Sequence, residues 1–292
     1  MSVDVLQEKI RKLKNPSMIQ FAPELHQLPP HICETVGSTV EGWQIFCREL
    51  LGALTGIVPA VRFSFGGFAL LGAGGVECLQ KLLDFAHRQG FYVVLDAPEI
   101  LSPISAEAVA KALLSKNSDF YCDGLVVSGY LGSDIWKPFL PLCKENKKDL
   151  FVVTRTANKS APELQDLLAG SRVVHAAAAD HVNRYGSDTV GKCGYSGVGI
   201  LASASAADSL RNLRGKYPKM FFLVDGYDYP NANAKNCAFA FDKFGHGAVA
   251  CAGASVTHGW LQAESEGADY LEHAVAAAQR MKKNLTRYVT VL

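Results

Sequence analysis

Eight short apolar runs, separated by longer amphipathic stretches, predict an α/β protein: a single (β/α)8 TIM barrel with parallel strands. Two further observations support the closed form. The chain has 292 residues, a length that α/β barrels fill as one unit. It also lacks the G-x-G-x-x-G turn that would favour an open doubly wound sheet, the alternative architecture.

In chain order, the runs fall at residues 18–22, 57–63, 92–96, 124–127, 150–155, 197–201, 221–225 and 248–251. Continuous apolar runs of this length suit strands buried on both faces. Helical patterns lie between them at 76–89, 106–115, 133–146, 162–168 and 206–217, and the chain closes on another at 270–284. Gly72-Ala73-Gly74-Gly75 precedes a helix without dinucleotide spacing and reads as a plain loop. No low-complexity linker or repeat of 20–50 residues interrupts the alternation, so residues 1–292 read as one domain.

Composition narrows the function classes. Hydrophobic residues make up 49% of the chain and charged residues 20%, the balance of a chain with a large core. Lys plus Arg (29) nearly cancels Asp plus Glu (28), which leaves no global field to attract nucleic acid or an anionic membrane. Eight cysteines, none in a C-x-x-C pair, read as reduced core thiols rather than zinc ligands. Residues 1–15 carry mixed charges without the apolar segment of a signal peptide, and no apolar run reaches the ~18 residues of a membrane span. The expected location is the cytoplasm.

Several segments carry a more specific signal. They are Tyr130-Leu131-Gly132-Ser133-Asp134 with Lys137-Pro138-Phe139-Leu140, Arg155-Thr156-Ala157-Asn158 leading into Glu163-Leu164-Gln165-Asp166-Leu167, Gly194-Tyr195-Ser196-Gly197-Val198-Gly199, and Phe221-Phe222-Leu223-Val224-Asp225-Gly226-Tyr227. In their order and spacing, from Asn15 to about Lys283, they resemble the type 2 orotidine 5'-phosphate decarboxylases. That family removes carbon dioxide from an orotate ring through a carbanion, without metal or organic cofactor. The resemblance therefore implies no cofactor and no metal here.

The same resemblance implies that the chemistry has been lost. The family's strand-3 motif, D-x-K-x-x-D, uses its lysine as fixed charge and proton donor between carboxylates. Here it reads Asp96-Ala97-Pro98-Glu99-Ile100-Leu101, so Pro98 stands at the lysine position and Leu101 at the aspartate that reaches the partner subunit. Ala22 stands for the ribose-contacting aspartate, and Arg62 replaces a lysine on strand 2, where a guanidinium does not deliver protons near neutral pH. The phosphate loop becomes Gly226-Tyr227-Asp228-Tyr229-Pro230-Asn231-Ala232, losing glycines and gaining the repelling charge of Asp228. Ala254 stands where the family's phosphate-gripping arginine would be. Pro230 and Ala254 thus mark a lost phosphate site.

Other residues carry two readings. Asp96 with Glu99 reads either as a carboxylate pair for acid–base or divalent-metal chemistry, or as a rim residue plus a solvated glutamate, the favoured reading. Arg62 could hold an anion or pair with Asp96. Arg155, Thr156 and Asn158 match the segment that contacts the pyrimidine ring in the family, and read in isolation as rim hydrogen-bonders. His246 and His258 near strand 8 could be acid–base groups but read more simply as structural. Arg62, Asp96, Thr156 and Asn158 are the expected ligand-binding set. The expected function is a catalytically degenerate decarboxylase homologue with a binding or regulatory role. The alternatives are active orotidine 5'-phosphate decarboxylase, or a module binding a phosphate-free pyrimidine or nucleoside. A homodimer is expected, with hetero-association with an active decarboxylase paralogue as a further possibility.

Overall fold

A computed structural model of the protein describes residues 2–23 and 28–292. Eight parallel strands close into a barrel in chain order: β1 Ser17–Phe21, β2 Ala60–Ser64, β3 Tyr92–Asp96, β4 Gly124–Ser128, β5 Asp149–Arg155, β6 Ser196–Ser203, β7 Met220–Asp225 and β8 Ala248–Ala252. Closure comes from β8, which pairs with β1 in the register Ser17 with Ala250 and Ile19 with Ala252. This is the (β/α)8 barrel the sequence predicts.

Differences at the element ends have local causes. Strand β2 begins at Ala60 rather than at residue 57, because the amides of Ile57 and Val58 turn back onto the Leu54 carbonyl. Pro59 then has no N–H to offer a ladder. The pattern at 133–146 splits into a 3₁₀ turn, Ser133–Ile135, and a helix, Phe139–Asn146, with Pro138 at the junction. Gly72-Ala73-Gly74-Gly75 is not a loop but the first turn of the helix Gly72–Arg88. A side chain at Gly75 would meet the Phe68 carbonyl oxygen at 2.1 Å, so glycine lets this helix pack closely on the preceding turn. Among the described residues, no helix is long and apolar enough to cross a membrane. All eight cysteines are free, and six are buried.

Two devices close the end of the barrel away from the strand C-termini. The helix Ser2–Leu13 buries Val3, Leu6 and Ile10 completely. Gln7 and Asp4 of this helix accept from the amides of Gly247 and Cys193 just before β8 and β6, at 3.1 Å and 2.8 Å. Arg214 supplies the second device. Its buried guanidinium donates to the carbonyls of Ala240, Met220 and Gly247 at 2.5–2.8 Å, tying the starts of β7 and β8 together. Burial lowers its pKa to about 10, which leaves the charge intact at neutral pH.

Asp149 lies fully buried at the start of β5. Its Oδ2 accepts from the Tyr92 hydroxyl at 2.5 Å, and its Oδ1 has no partner. Burial raises its pKa well above the ordinary carboxylate value, with Asp123 and Asp4 pushing the same way. A group whose pKa rises on folding stabilises the fold below its unfolded pKa, and that contribution is lost as pH rises through the folded pKa. The expected outcome is that Asp149→Asn flattens the fall in melting temperature as pH rises above about 4. Thermal denaturation of both proteins between pH 5 and 9 checks this; parallel curves would remove Asp149 as the source.

Candidate active site

Functional groups of (β/α)8 barrels gather at the C-terminal ends of the strands, where loops converge on the barrel mouth. Register puts Arg62 of β2 beside Gln20 of β1 and Val94 of β3, with Asp96 opposite Ser64 at the next strand end. The Arg62 side chain, only 7% exposed, donates from Nε to Asp96 Oδ1 at 2.7 Å. Its Nη1 reaches across the interior to within 3.4 Å of Asp225 Oδ1 on β7, although β1 and β8 lie between β2 and β7 in the wall. That Nη1 has no hydrogen-bond partner.

Arg62 and Asp96 therefore come together, and Asp225 joins them. The sequence reading missed Asp225 as a site residue; its available signal was a carboxylate ending an apolar strand just before Gly226-Tyr227. Despite its burial, the two carboxylates hold the Arg62 guanidinium well above its ordinary pKa, so it stays charged. Burial raises the Asp96 carboxyl above its usual range while Arg62 pulls the other way. Asp96 is thus committed to a cation, and Glu99 is exposed on the rim, so the two form no acid–base pair. Pro98 is half-buried on the same loop.

The segment after β5 forms a second polar cluster. Arg155 grips Asp166 through Nε and Nη2, at 2.9 Å and 3.0 Å, and donates from Nη1 to the Thr156 carbonyl. Gln165 accepts from the Thr156 amide and donates to its hydroxyl, both at 2.8 Å. The Thr156 hydroxyl donates to Asn158 Oδ1, and Asn158 Nδ2 donates to Ser160 at 3.0 Å. Arg155 is thereby a tether, while Thr156 and Asn158 are oriented by neighbours that sequence did not single out. Gly226, at φ +83°, brings the loop after β7 against this cluster. A side chain there would meet Ser203 Oγ at 2.8 Å and Ala157 Cβ at 3.1 Å.

A cavity of about 270 Å3 opens at the ends of β1, β7 and β8, between Gln20, Ala22, Asp225, Asp228 and Ala254. The size is close to the lower end, roughly 300 Å3, of small-molecule pockets. Among the described residues, no lysine or arginine lines it. Asp228 does more than repel anions: its Oδ2 accepts from the amides of Gly253 and Ser255 at 2.6 Å and 3.3 Å, and its Oδ1 accepts from the Ser255 hydroxyl. These amides follow β8, in the region where barrels of this type cradle phosphate. Pro230 is exposed farther along the loop. His258 also borders the cavity, with its Nδ1 2.9 Å from Thr257 Oγ1 and its ring against Phe46. His246 lies just before β8, at the opposite end of the barrel, its Nε2 3.1 Å from the Leu292 carbonyl.

Removing the buried cation leaves Asp96 and Asp225 facing each other. Arg62→Ala is expected to cost about 2–4 kcal/mol, the lower part of the range for breaking a buried pair, because both carboxylates keep some contact with water. Arg62→Lys should recover part of the loss. Urea denaturation of the three proteins measures this, and a neutral Arg62→Ala would remove the pair as a determinant of mouth geometry.

No family model matches the chain. Among curated relatives, the orotidine 5'-phosphate decarboxylase of Rhodopirellula baltica is 30% identical over 236 residues, covering 78% of each chain. That of Clostridium novyi is 23% identical over 286 residues, covering 98% of both. The solved structure of Leishmania donovani OMP decarboxylase superimposes with a TM-score of 0.75 at 21% identity, covering 98% of each chain. Plasmodium berghei orotidine 5'-monophosphate decarboxylase gives 0.73 at 14%, covering 97% of this chain and all of that one. Identity over most of both chains to the first relative, together with the shared closed barrel, places this chain in the orotidine 5'-phosphate decarboxylase family.

Proposed function

We propose that this protein is a catalytically degenerate member of the family, a pseudoenzyme that binds a pyrimidine or nucleoside lacking phosphate and acts in binding or regulation. The observation that carries this reading is the charge of the mouth: among the described residues its cavity is lined by Asp225 and Asp228 and by no lysine or arginine. The nearby cation, Arg62, is already matched by two carboxylates. Orotidine monophosphate carries a phosphate and a carboxylate, and both would enter a field of their own sign. A phosphate at the Gly253 and Ser255 amides would have to displace the tethered carboxylate of Asp228. Pro98, at the position the resemblance gives to the lysine, offers neither charge nor proton. Neutral hydrogen-bonding groups fit better: Gln20 and Thr257 border the cavity.

The second reading, an active decarboxylase, is favoured by the name the curated relatives carry. A direct assay separates the two. No conversion of orotidine monophosphate to uridine monophosphate above background is expected, whereas turnover of about 1–10³ per second, abolished by Asp96→Ala, would establish the second. Calorimetry should show uridine binding more tightly than uridine monophosphate. Asp228→Ala should strengthen uridine monophosphate binding by about tenfold or more, the equivalent of one charge-assisted contact regained. An unchanged affinity would remove Asp228 as the block.

The mouth face also supports a partner role. Leu101 and Ile104 are 72% and 84% exposed beyond β3, so Leu101 does not fold into its own barrel rim. Leu131 after β4 and Leu164, Leu167 and Leu168 after β5 are exposed as well. Apolar side chains grouped on neighbouring loops suit a contact between copies, or with an active decarboxylase paralogue. Covering Leu101 would contribute roughly 1.5–3 kcal/mol without the desolvation cost of a carboxylate. Light scattering should report about twice the 31.5 kDa chain mass, with association weakened by Leu101→Asp. A monomer at tens of micromolar would sink the dimer; a dimer indifferent to the substitution would remove Leu101 from its interface.

A further inference from the structure

Outside the mouth, two cavities lie along the C-terminal helix Tyr270–Thr286. The first, about 440 Å3, is bounded by that helix and by the short segments after β8. The second, about 370 Å3, lies between the end of the helix and residues 232–235. Tyr227 and Asn284 line both, so the two adjoin one another at these residues. Each falls within the roughly 300–1,000 Å3 of small-molecule pockets.

Their charge is opposite to that of the mouth. Arg280 lines the first cavity, Lys235 and Arg287 line the second, and among the described residues neither lining contains an aspartate or glutamate. None of these three side chains has a hydrogen-bond or ion-pair partner among the described residues. Arg280, Asn284 and Arg287 are spaced i, i+4, i+7, which puts them on one helix face with the two arginines about 10 Å apart along the axis. The helix dipole favours a cation at Arg287, in the last turn, but its effect does not extend back to Arg280. Cations gathered without a counter-charge repel one another, and a bound anion relieves that repulsion.

We propose that this groove is a binding site for a nucleoside polyphosphate. The phosphate chain runs between Arg280 and Arg287 past the Asn284 amide, with Lys235 at the far side. The base packs on the exposed ring of Tyr288 beside Asn233, both of which line the second cavity. Guanidinium groups suit this role because their planar forks match phosphate oxygens. The site is separate from the mouth and does not depend on what the mouth binds.

Isothermal titration of the full chain with uridine triphosphate, inorganic tripolyphosphate and uridine, in low and high salt, tests the site. Uridine triphosphate should bind saturably and more tightly than tripolyphosphate, with affinity falling as salt rises. The double variant Arg280→Gln, Arg287→Gln should weaken it by about tenfold or more, and Lys235→Gln should weaken it less. Lys219→Gln, an exposed cation outside both cavities, should leave it unchanged. These positions are exposed, and circular dichroism verifies that the variants fold. The proposal is overturned by an absence of saturable binding up to about 10 mM, by binding indifferent to the double variant, or by tripolyphosphate binding as tightly as uridine triphosphate. Uridine binding at the mouth is read separately, so either site can fail alone.

Discussion

A guanidinium carried into a barrel interior must be neutralised where it lies, and the arrangement at the mouth follows from that requirement at Arg62. Its side chain stands inside the wall and cannot turn out to water, so carboxylates come to it from β3 and from β7 on the far side. This draws Asp96 away from any pairing with Glu99 and fixes Asp225 at the cavity floor. Among the described residues, the adjoining cavity is lined by no lysine or arginine.

Arg214 shows the same requirement met differently at the other end of the barrel. There the partners are backbone carbonyls at the starts of strands, which join the strands mechanically and leave no carboxylate to tune. Asp149 is the converse case: a buried acid with a phenol for one oxygen and no partner for the other, whose pKa burial raises. The closed end is thus built for stability. At the mouth, the buried cation meets side-chain carboxylates instead of backbone carbonyls.

The loops after β5, β7 and β8 carry the polar groups of the mouth on a barrel that strand pairing and core packing hold. Thr156 and Asn158 keep a polar surface because Gln165, Arg155 and Asp166 hold their backbone in place. The amides of Gly253 and Ser255 donate to Asp228 of the neighbouring loop. Loop chemistry of this kind sits on the barrel without being dictated by it.

The sequence by itself determined the barrel, its strand order and the family. Each of those rests on signals local in the chain: short apolar runs, helical periodicity, and motifs such as Arg155-Thr156-Ala157-Asn158 read in place. It also identified Arg62 and Asp96, because each keeps a charge at a strand position of a motif whose neighbouring positions differ. Tertiary structure alone decided that Asp225 completes their ion pairing, that Asp228 caps the amides after β8, and that Gly72–Gly75 is helical. Each of these depends on which side chains face one another across a closed wall or a packed turn. Such contacts join residues distant in sequence and leave no period or spacing to read.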